Sequence, residues 1–146
     1  DFIWPPDAPA AIRHLNERGI LTIVVTNQSG VARGYYPEED VRRLHDWMNE
    51  ELKKEGAHLD ALFYCPHHTE GKIPEYTKAC NCRKPATGMI DAACAKYDID
   101  RKRAVLIGDS ESDMECARRA GIRGVRYEGG SLLEVVERVL GILMQP

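Results

Sequence analysis

The sequence predicts an α/β fold: a Rossmann-like parallel sheet with helices on both faces. Three observations carry this expectation. Short apolar, β-branched runs such as Leu21–Thr26 and Ala104–Gly108 alternate with longer amphipathic segments. The runs lack the polar alternation of a half-exposed strand, so they read as strands covered on both faces. Each ends in a polar loop, the place where open α/β sheets collect ligands. At 146 residues the chain is expected to form a single domain with a buried core.

Asp1 to Pro6 is read as a lead-in segment. Asp7 is the expected N-cap of a helix over residues 8–18, with Ala8, Ala11, Ile12 and Leu15 on one face and Gly19 where a C′ residue is wanted. Leu21–Thr26 is the first strand and Asn27–Tyr36 a loop. Pro37 opens a helix that turns Val41, Leu44, Trp47, Met48 and Leu52 inward before Gly56. A second strand, Ala61–Tyr64, ends at Cys65. Residues 66–85 form a long irregular connection, and twenty residues without regular structure inside a domain call for a staple or a purpose. Helix returns over 87–97, followed by a third strand at Ala104–Gly108 and a helix over 110–120 stopped by Gly121. A fourth strand at Gly124–Tyr127 and a closing helix over 131–143 complete the chain.

Composition narrows the function classes. Hydrophobic residues make up 43% and charged ones 29%, which excludes a disordered chain. A formal charge of −3, with both signs scattered along the helices, provides no basic field for nucleic acid or an anionic membrane. No apolar run approaches the ~20 residues of a membrane span, and no signal peptide is visible. A cytoplasmic monomer acting on a small molecule is expected. The five cysteines are an odd count, which favours reduced thiols over a disulfide framework.

Three of those cysteines flank the long connection. Cys65-Pro-His67-His68 and Cys80-Asn-Cys82 bring three thiols and an imidazole to its two ends, the donor set of a closed structural zinc site. Cys65, His67, Cys80 and Cys82 are the expected ligands, with His68 as the alternative imidazole. Cys94 and Cys116 lie in helices among small apolar residues and read as core.

Two strand ends supply the remaining chemistry. Thr26, Asn27, Gln28 and Ser29 offer hydroxyl, amide and backbone donors after the first strand, a set suited to phosphate, although it could also be a polar turn. Asp109 and Ser110 follow the third strand on the same sheet edge. A carboxylate there suits Mg²⁺, which offsets phosphate charge, although Asp109 could also cap the next helix. Asp113, one turn on, could orient loop or ligand groups. Lys84 as a point charge and Arg83 as a fork suit a phosphorylated ligand.

Thr26 at one strand end, Lys84 before a helix, and Gly108-Asp109 with Asp113 at another strand end resemble motifs two, three and four of the haloacid dehalogenase superfamily of phosphohydrolases. The run Thr26–Gly34, Cys-Pro-His-His from Cys65, and Cys-Asn-Cys-Arg-Lys-Pro from Cys80 are similar to the branch holding the heptose bisphosphate phosphatases and the histidinol-phosphate phosphatases. The resemblance implies that Thr26 and Lys84 hold the transferred phosphoryl group, Asp109 ligates Mg²⁺, Arg83 recognises substrate, and Cys65, His67, Cys80 and Cys82 bind zinc. Asn27, Gln28, Ser29 and Ser110 complete the implied substrate-binding set. The implied reaction is Mg²⁺-dependent removal of the 7-phosphate of a heptose 1,7-bisphosphate, with histidinol phosphate as the rival substrate. On the same grounds Lys84→Ala is expected to lower turnover with the fold intact.

One departure stands out. The superfamily's nucleophile and acid/base are two aspartates in an Asp-x-Asp-Gly motif at the end of an N-terminal strand, and these 146 residues contain no such motif. A catalytically inactive phosphate-binding domain is therefore a third alternative. The family's strand lies mid-sheet, between Leu21–Thr26 and Ala104–Gly108. Removing it would expose two rows of unpaired backbone groups, at a cost exceeding the roughly 5–15 kcal/mol that stabilises a typical domain. About thirty upstream residues are therefore expected to be absent from this chain.

Overall fold

The structure, a computed structural model, describes residues 5–144; Asp1 to Trp4 of the lead-in segment, and residues 145–146, lie outside the described residues. In chain order the elements are α1 (Ala8–Glu17), β1 (Ile23–Asn27), α2 (Glu38–Lys53), β2 (Ala61–Cys65), α3 (Gly88–Tyr97), β3 (Val105–Gly108), α4 (Glu111–Ala120), β4 (Arg123–Arg126) and α5 (Leu132–Leu143). Short 3₁₀ turns at Pro74–Tyr76 and Arg101–Arg103 interrupt the connections. The alternation and the parallel pairing are those the sequence predicts.

The sheet is divided. Among the described residues the strands form two parallel pairs, not one sheet. β1 pairs with β2 from Ile23 opposite Ala61 to Asn27 opposite Cys65, and β3 pairs with β4 from Val105 opposite Arg123 to Gly108 opposite Arg126. The Thr22 carbonyl points to the β2 side, where it accepts from the Asp60 N–H at 2.8 Å. By strand alternation the Val25 carbonyl points the other way, to the unpaired edge. Every residue of β1 and β3 is only partly buried, less than the sequence predicts. The physical reason is that each of these strands has a strand neighbour on one edge only among the described residues.

Helices nonetheless cover both faces. Ala11 and Leu15 of α1 pack with Val136 and Leu140 of α5, against Ile107 of β3. Met48 and Leu52 of α2 pack with Ala57 and Leu59 under Val24 and Leu62, and Ile12 of α1 joins them. On the other face of β3, Leu106 meets Ile90 of α3 with Cys116 and Ala120 of α4. Trp47 is a correction: it is 44% exposed. At ~100° per residue it lies well off the Val41–Met48–Leu52 stripe.

Asp7 is a second correction. Its side chain makes no bond to α1. Instead it reaches α5, accepting from the Leu132 and Leu133 N–H groups at 3.2 and 2.9 Å and from the Ser131 hydroxyl at 2.9 Å. The Leu133 bond is the main reason its carboxyl sits below the ordinary value. A depressed carboxylate adds stability above its unfolded pKa, and that stability is lost as pH falls through the folded value. Asp7→Ala is therefore expected to cost about 1 kcal/mol at neutral pH, as a lost helix cap does. Thermal melts across pH should show the gap between variant and wild type closing in acid.

Candidate active site

The loop after β1 is wound tightly on its own backbone. The Gln28 N–H donates to the Cys65 carbonyl at 2.7 Å, Val31 N–H to Gln28 O at 3.1 Å, and Arg33 N–H to Ser29 O at 3.0 Å. The Gln28 amide donates to Thr26 Oγ1 at 3.2 Å and accepts from the Tyr36 hydroxyl at 2.5 Å. Thr26 and Gln28 are thus held at the strand end.

Lys84 arrives from 57 positions away and is clamped there. Asn27 Oδ1 accepts from the Lys84 N–H at 2.9 Å, and Asn27 Nδ2 donates to the Lys84 carbonyl at 3.4 Å. Lys84 Nζ donates to the Val25 carbonyl at 3.3 Å and to Asp113 Oδ1 at 2.5 Å. This ion pair is well shielded, with side chains 14% and 8% exposed. Burial alone would push the Asp113 carboxyl up, but the Lys84 ammonium and the Ser110 hydrogen bonds more than offset it and hold it below its ordinary value.

Asp113 also gathers the second strand end. Its Oδ2 accepts from the Asp109 and Ser110 N–H groups at 3.2 and 3.3 Å, while Ser110 Oγ accepts from the Asp113 N–H at 3.1 Å. This capping box starts α4. A Cβ on Gly108 would run into the Asp113 carboxylate, so glycine permits the close approach. Ser110, not Asp109, is the N-cap, which leaves the Asp109 carboxylate exposed at the end of β3. Thr26, Asn27, Gln28 and Lys84 therefore stand together, and Asp109 and Ser110 reach the same edge through Asp113.

Beside this edge, one ligand atom from each of Cys65, His67, Cys80 and Cys82 lies within 4.8 Å of the others, a set that could hold a metal ion. Cys65 Sγ is 3.4 Å from Cys80 Sγ and 2.6 Å from Cys82 Sγ, and His67 Nδ1 is 3.4 Å from Cys82 Sγ. Burial and the neighbouring thiols push Cys82 up, and burial pushes Cys65 up; Cys80 falls below the ordinary value because backbone N–H bonds from Cys82 and Arg83 outweigh its burial. Three crowded thiols resist joint ionisation unless a cation stands among them.

His68 turns away from the cluster. Its Nδ1 accepts from the Glu70 N–H at 2.9 Å, and its Nε2 lies 3.0 Å from Arg33 Nη2. Burial first, then the charges of Arg83 and Arg33, lowers its pKa. Arg33 Nε is buried without a partner. Arg33 lies in the Thr26–Gly34 run, but nothing in the sequence assigns it a role of its own; only the fold sets it beside His68.

The two loops form one unit. The Ala32 N–H donates to Pro66 O at 3.2 Å, and the Ala32 carbonyl accepts from Lys72 and Ile73 at 2.6 and 2.9 Å. A Cβ on Gly71 would collide with that carbonyl. A further contact invisible in the sequence is Glu38, which accepts from the hydroxyls of Tyr64 and Tyr76. Those bonds lower the Glu38 carboxyl and push Tyr76 up to about 12. A cleft of about 690 Å³ lined by Arg103, Val105, Arg123 and Met144 lies at the opposite ends of β3 and β4, away from these groups.

A pinned lysine and hydroxyl thus stand at one strand end and an exposed carboxylate at the next. Residues 81–135 match the HAD-hydrolase-like family. The D-glycero-β-D-manno-heptose-1,7-bisphosphate 7-phosphatase of Rhodopseudomonas palustris is 48% identical over 94% of this chain and 76% of its own length. The α-anomer enzyme of Photorhabdus laumondii is 42% identical over 84% of this chain and 67% of its own, and the β-anomer enzyme of Pasteurella multocida is 43% identical over 77% and 61%. Among solved structures, the D,D-heptose 1,7-bisphosphate phosphatase of B. bronchiseptica, complexed with magnesium and phosphate, superposes with a TM-score of 0.80 at 28% identity, covering 96% of this chain and 85% of that one. The chain belongs to the heptose-1,7-bisphosphate 7-phosphatase family.

Proposed function

We propose that this chain forms the phosphate-binding domain, over residues 1–146, of a Mg²⁺-dependent phosphatase that removes the 7-phosphate from D-glycero-D-manno-heptose 1,7-bisphosphate. The observation that carries the reading is the placement of Lys84 Nζ, held at the ends of both strand pairs by Val25 O and Asp113. Lys84 and Thr26 hold the phosphoryl group being transferred, with Lys84 oriented by Asn27 and Asp113. Asn27, Gln28, Ser29, Arg83 and Ser110 contact the remainder of the substrate. Asp109, exposed and free of capping duty, would ligate Mg²⁺, which when bound would neutralise charge on the phosphate oxygens.

The heptose bisphosphate is favoured over histidinol phosphate by charge. Arg33 and Arg83 both act on His68 beside the site, a cationic flank that attracts a second phosphate and repels the ammonium of histidinol. The nucleophile comes from a strand that completes the sheet between β1 and β3, as supported by the unpaired edge on which the Val25 carbonyl lies. Zinc is the metal we assign to Cys65, His67, Cys80 and Cys82. Three thiols and one imidazole whose ligand atoms all lie within 4.8 Å of one another are the donor set that would hold zinc. With four protein ligands it is structural. Free thiols in the cluster support our reading of a cytoplasmic protein, which we take to act as a monomer.

Parallel turnover assays on the natural protein test this reading. Faster release of phosphate from the heptose bisphosphate than from histidinol phosphate is expected. The reverse order would overturn the substrate, and phosphate binding with Mg²⁺ but no turnover of either would make this a binding domain.

A further inference from the structure

We infer that Glu38 is a positioning residue, a latch that holds the metal-cluster loop closed over the phosphate site; this rests on the phosphatase reading given above. Glu38 opens α2, and its side chain is 28% exposed. A glutamate in a helix's first turn needs no partner, since the macrodipole alone favours it there. Here both carboxylate oxygens are engaged. Oε1 accepts from the Tyr64 hydroxyl, and Oε2 accepts from the Tyr76 hydroxyl at 2.7 Å. Bonds from phenols to an ionised carboxylate are roughly twice as strong as neutral ones.

One tyrosine stands just before the loop and the other in its middle. Tyr64 is the β2 residue immediately before Cys65. Tyr76 lies in the 3₁₀ turn of the long connection, its ring centroid 6.4 Å from that of His67. The Tyr76 carbonyl accepts from the His68 N–H, and the His68 carbonyl from the Lys78 N–H, each at 3.1 Å. Glu38 therefore grips, through Tyr64 and Tyr76, the segment that carries His67 and His68. Arg42, 3.9 Å from Oε1, is the outer neighbour on the same helix. Lys84 has its own fastening through Asn27 and Asp113. Loss of the latch should accordingly loosen the His68 and Arg83 flank while leaving the lysine in place.

That division has a kinetic signature. When only a fraction of molecules holds the binding-competent loop, apparent affinity falls by that fraction, while a saturated enzyme turns over as before. Glu38→Ala in the natural protein is expected to raise KM for the bisphosphate about tenfold with kcat within about twofold, as a tenth-populated closed loop would give. Tyr76→Phe should shift KM in the same direction. Glu38→Gln, which keeps one carbonyl acceptor, should recover part of the loss. Limited proteolysis supplies a readout independent of turnover: in chelated protein, cleavage within residues 66–79 should be faster in Glu38→Ala than in wild type, and in metal-loaded protein the two should differ less.

An unchanged KM and cleavage rate, or a fall in kcat and melting temperature with KM constant, would overturn the latch. A wild type that hydrolyses no phosphate monoester would remove the phosphatase reading, and the cleavage rates would then decide the latch alone.

Discussion

Lys84→Ala is expected to reduce turnover on the order of 10²–10³-fold, the effect of removing one preorganised charge-stabilising donor, and to weaken binding of inorganic phosphate by this chain. The structure adds a cost in stability. Lys84 Nζ is 2.5 Å from Asp113 Oδ1, and both side chains are largely shielded. Truncating one partner of a buried pair leaves the other as an uncompensated charge, which costs about 3 kcal/mol or more. Asp113 would then keep only the Asp109 and Ser110 N–H groups, and its carboxyl would move up. Because the Asp113 pKa is depressed in the folded protein, the stability it contributes is present above its unfolded pKa and is lost as pH falls through the folded value. A double variant, Lys84→Ala with Asp113→Asn, should regain part of the melting temperature and none of the turnover. Turnover near wild type in the single variant would show that the site has been misplaced.

Removal of the cluster metal is the second large effect. Chelation, or Cys82→Ser, is expected to loosen residues 65–85 while β1 to β4 keep their pairing. The reason lies in the connections: four ligand atoms within 4.8 Å tie both ends of a segment whose own regular structure is one short 3₁₀ turn. The strand pairs are held by separate apolar clusters that contain no cluster ligand. A loss of about 4 kcal/mol falls among the large single-site effects, and for a chain of this size it lowers Tm by about 10 °C. Turnover should decline less steeply than after Lys84→Ala, since Asn27 and Asp113 hold Lys84 directly. Hydrogen exchange with and without chelator is the measurement. Uniform deprotection of sheet and loop together would refute a local staple, and metal analysis finding no zinc in freshly purified protein would refute the choice of metal.

Much of the fold was legible because its signals are local. The Ala104–Gly108 run, the start of α4 and Gly121 at its end depend on neighbours a few residues away, and they sit within a residue or two of their predicted places, although the cap is Ser110 and not Asp109. Trp47 failed by helical phase, since apolar character alone does not say which side of a helix a residue occupies. Asp7 failed by distance: its partners are Ser131, Leu132 and Leu133, at the far end of the chain. Glu38 and Arg33 carried no spacing that separates them from other surface charges.

By itself the sequence determined the element order, the parallel pairing, the family, and which residue types are on hand for phosphate and for metal, because periodicity, caps and motif spacing are properties of neighbours along the chain. Tertiary structure alone decided that Asp113 binds Lys84, that His68 faces Arg33, that Glu38 holds two tyrosines, and that the described strands stand in two pairs. Those outcomes depend on which distant backbones come close enough to exchange hydrogen bonds, and that is set by packing in three dimensions.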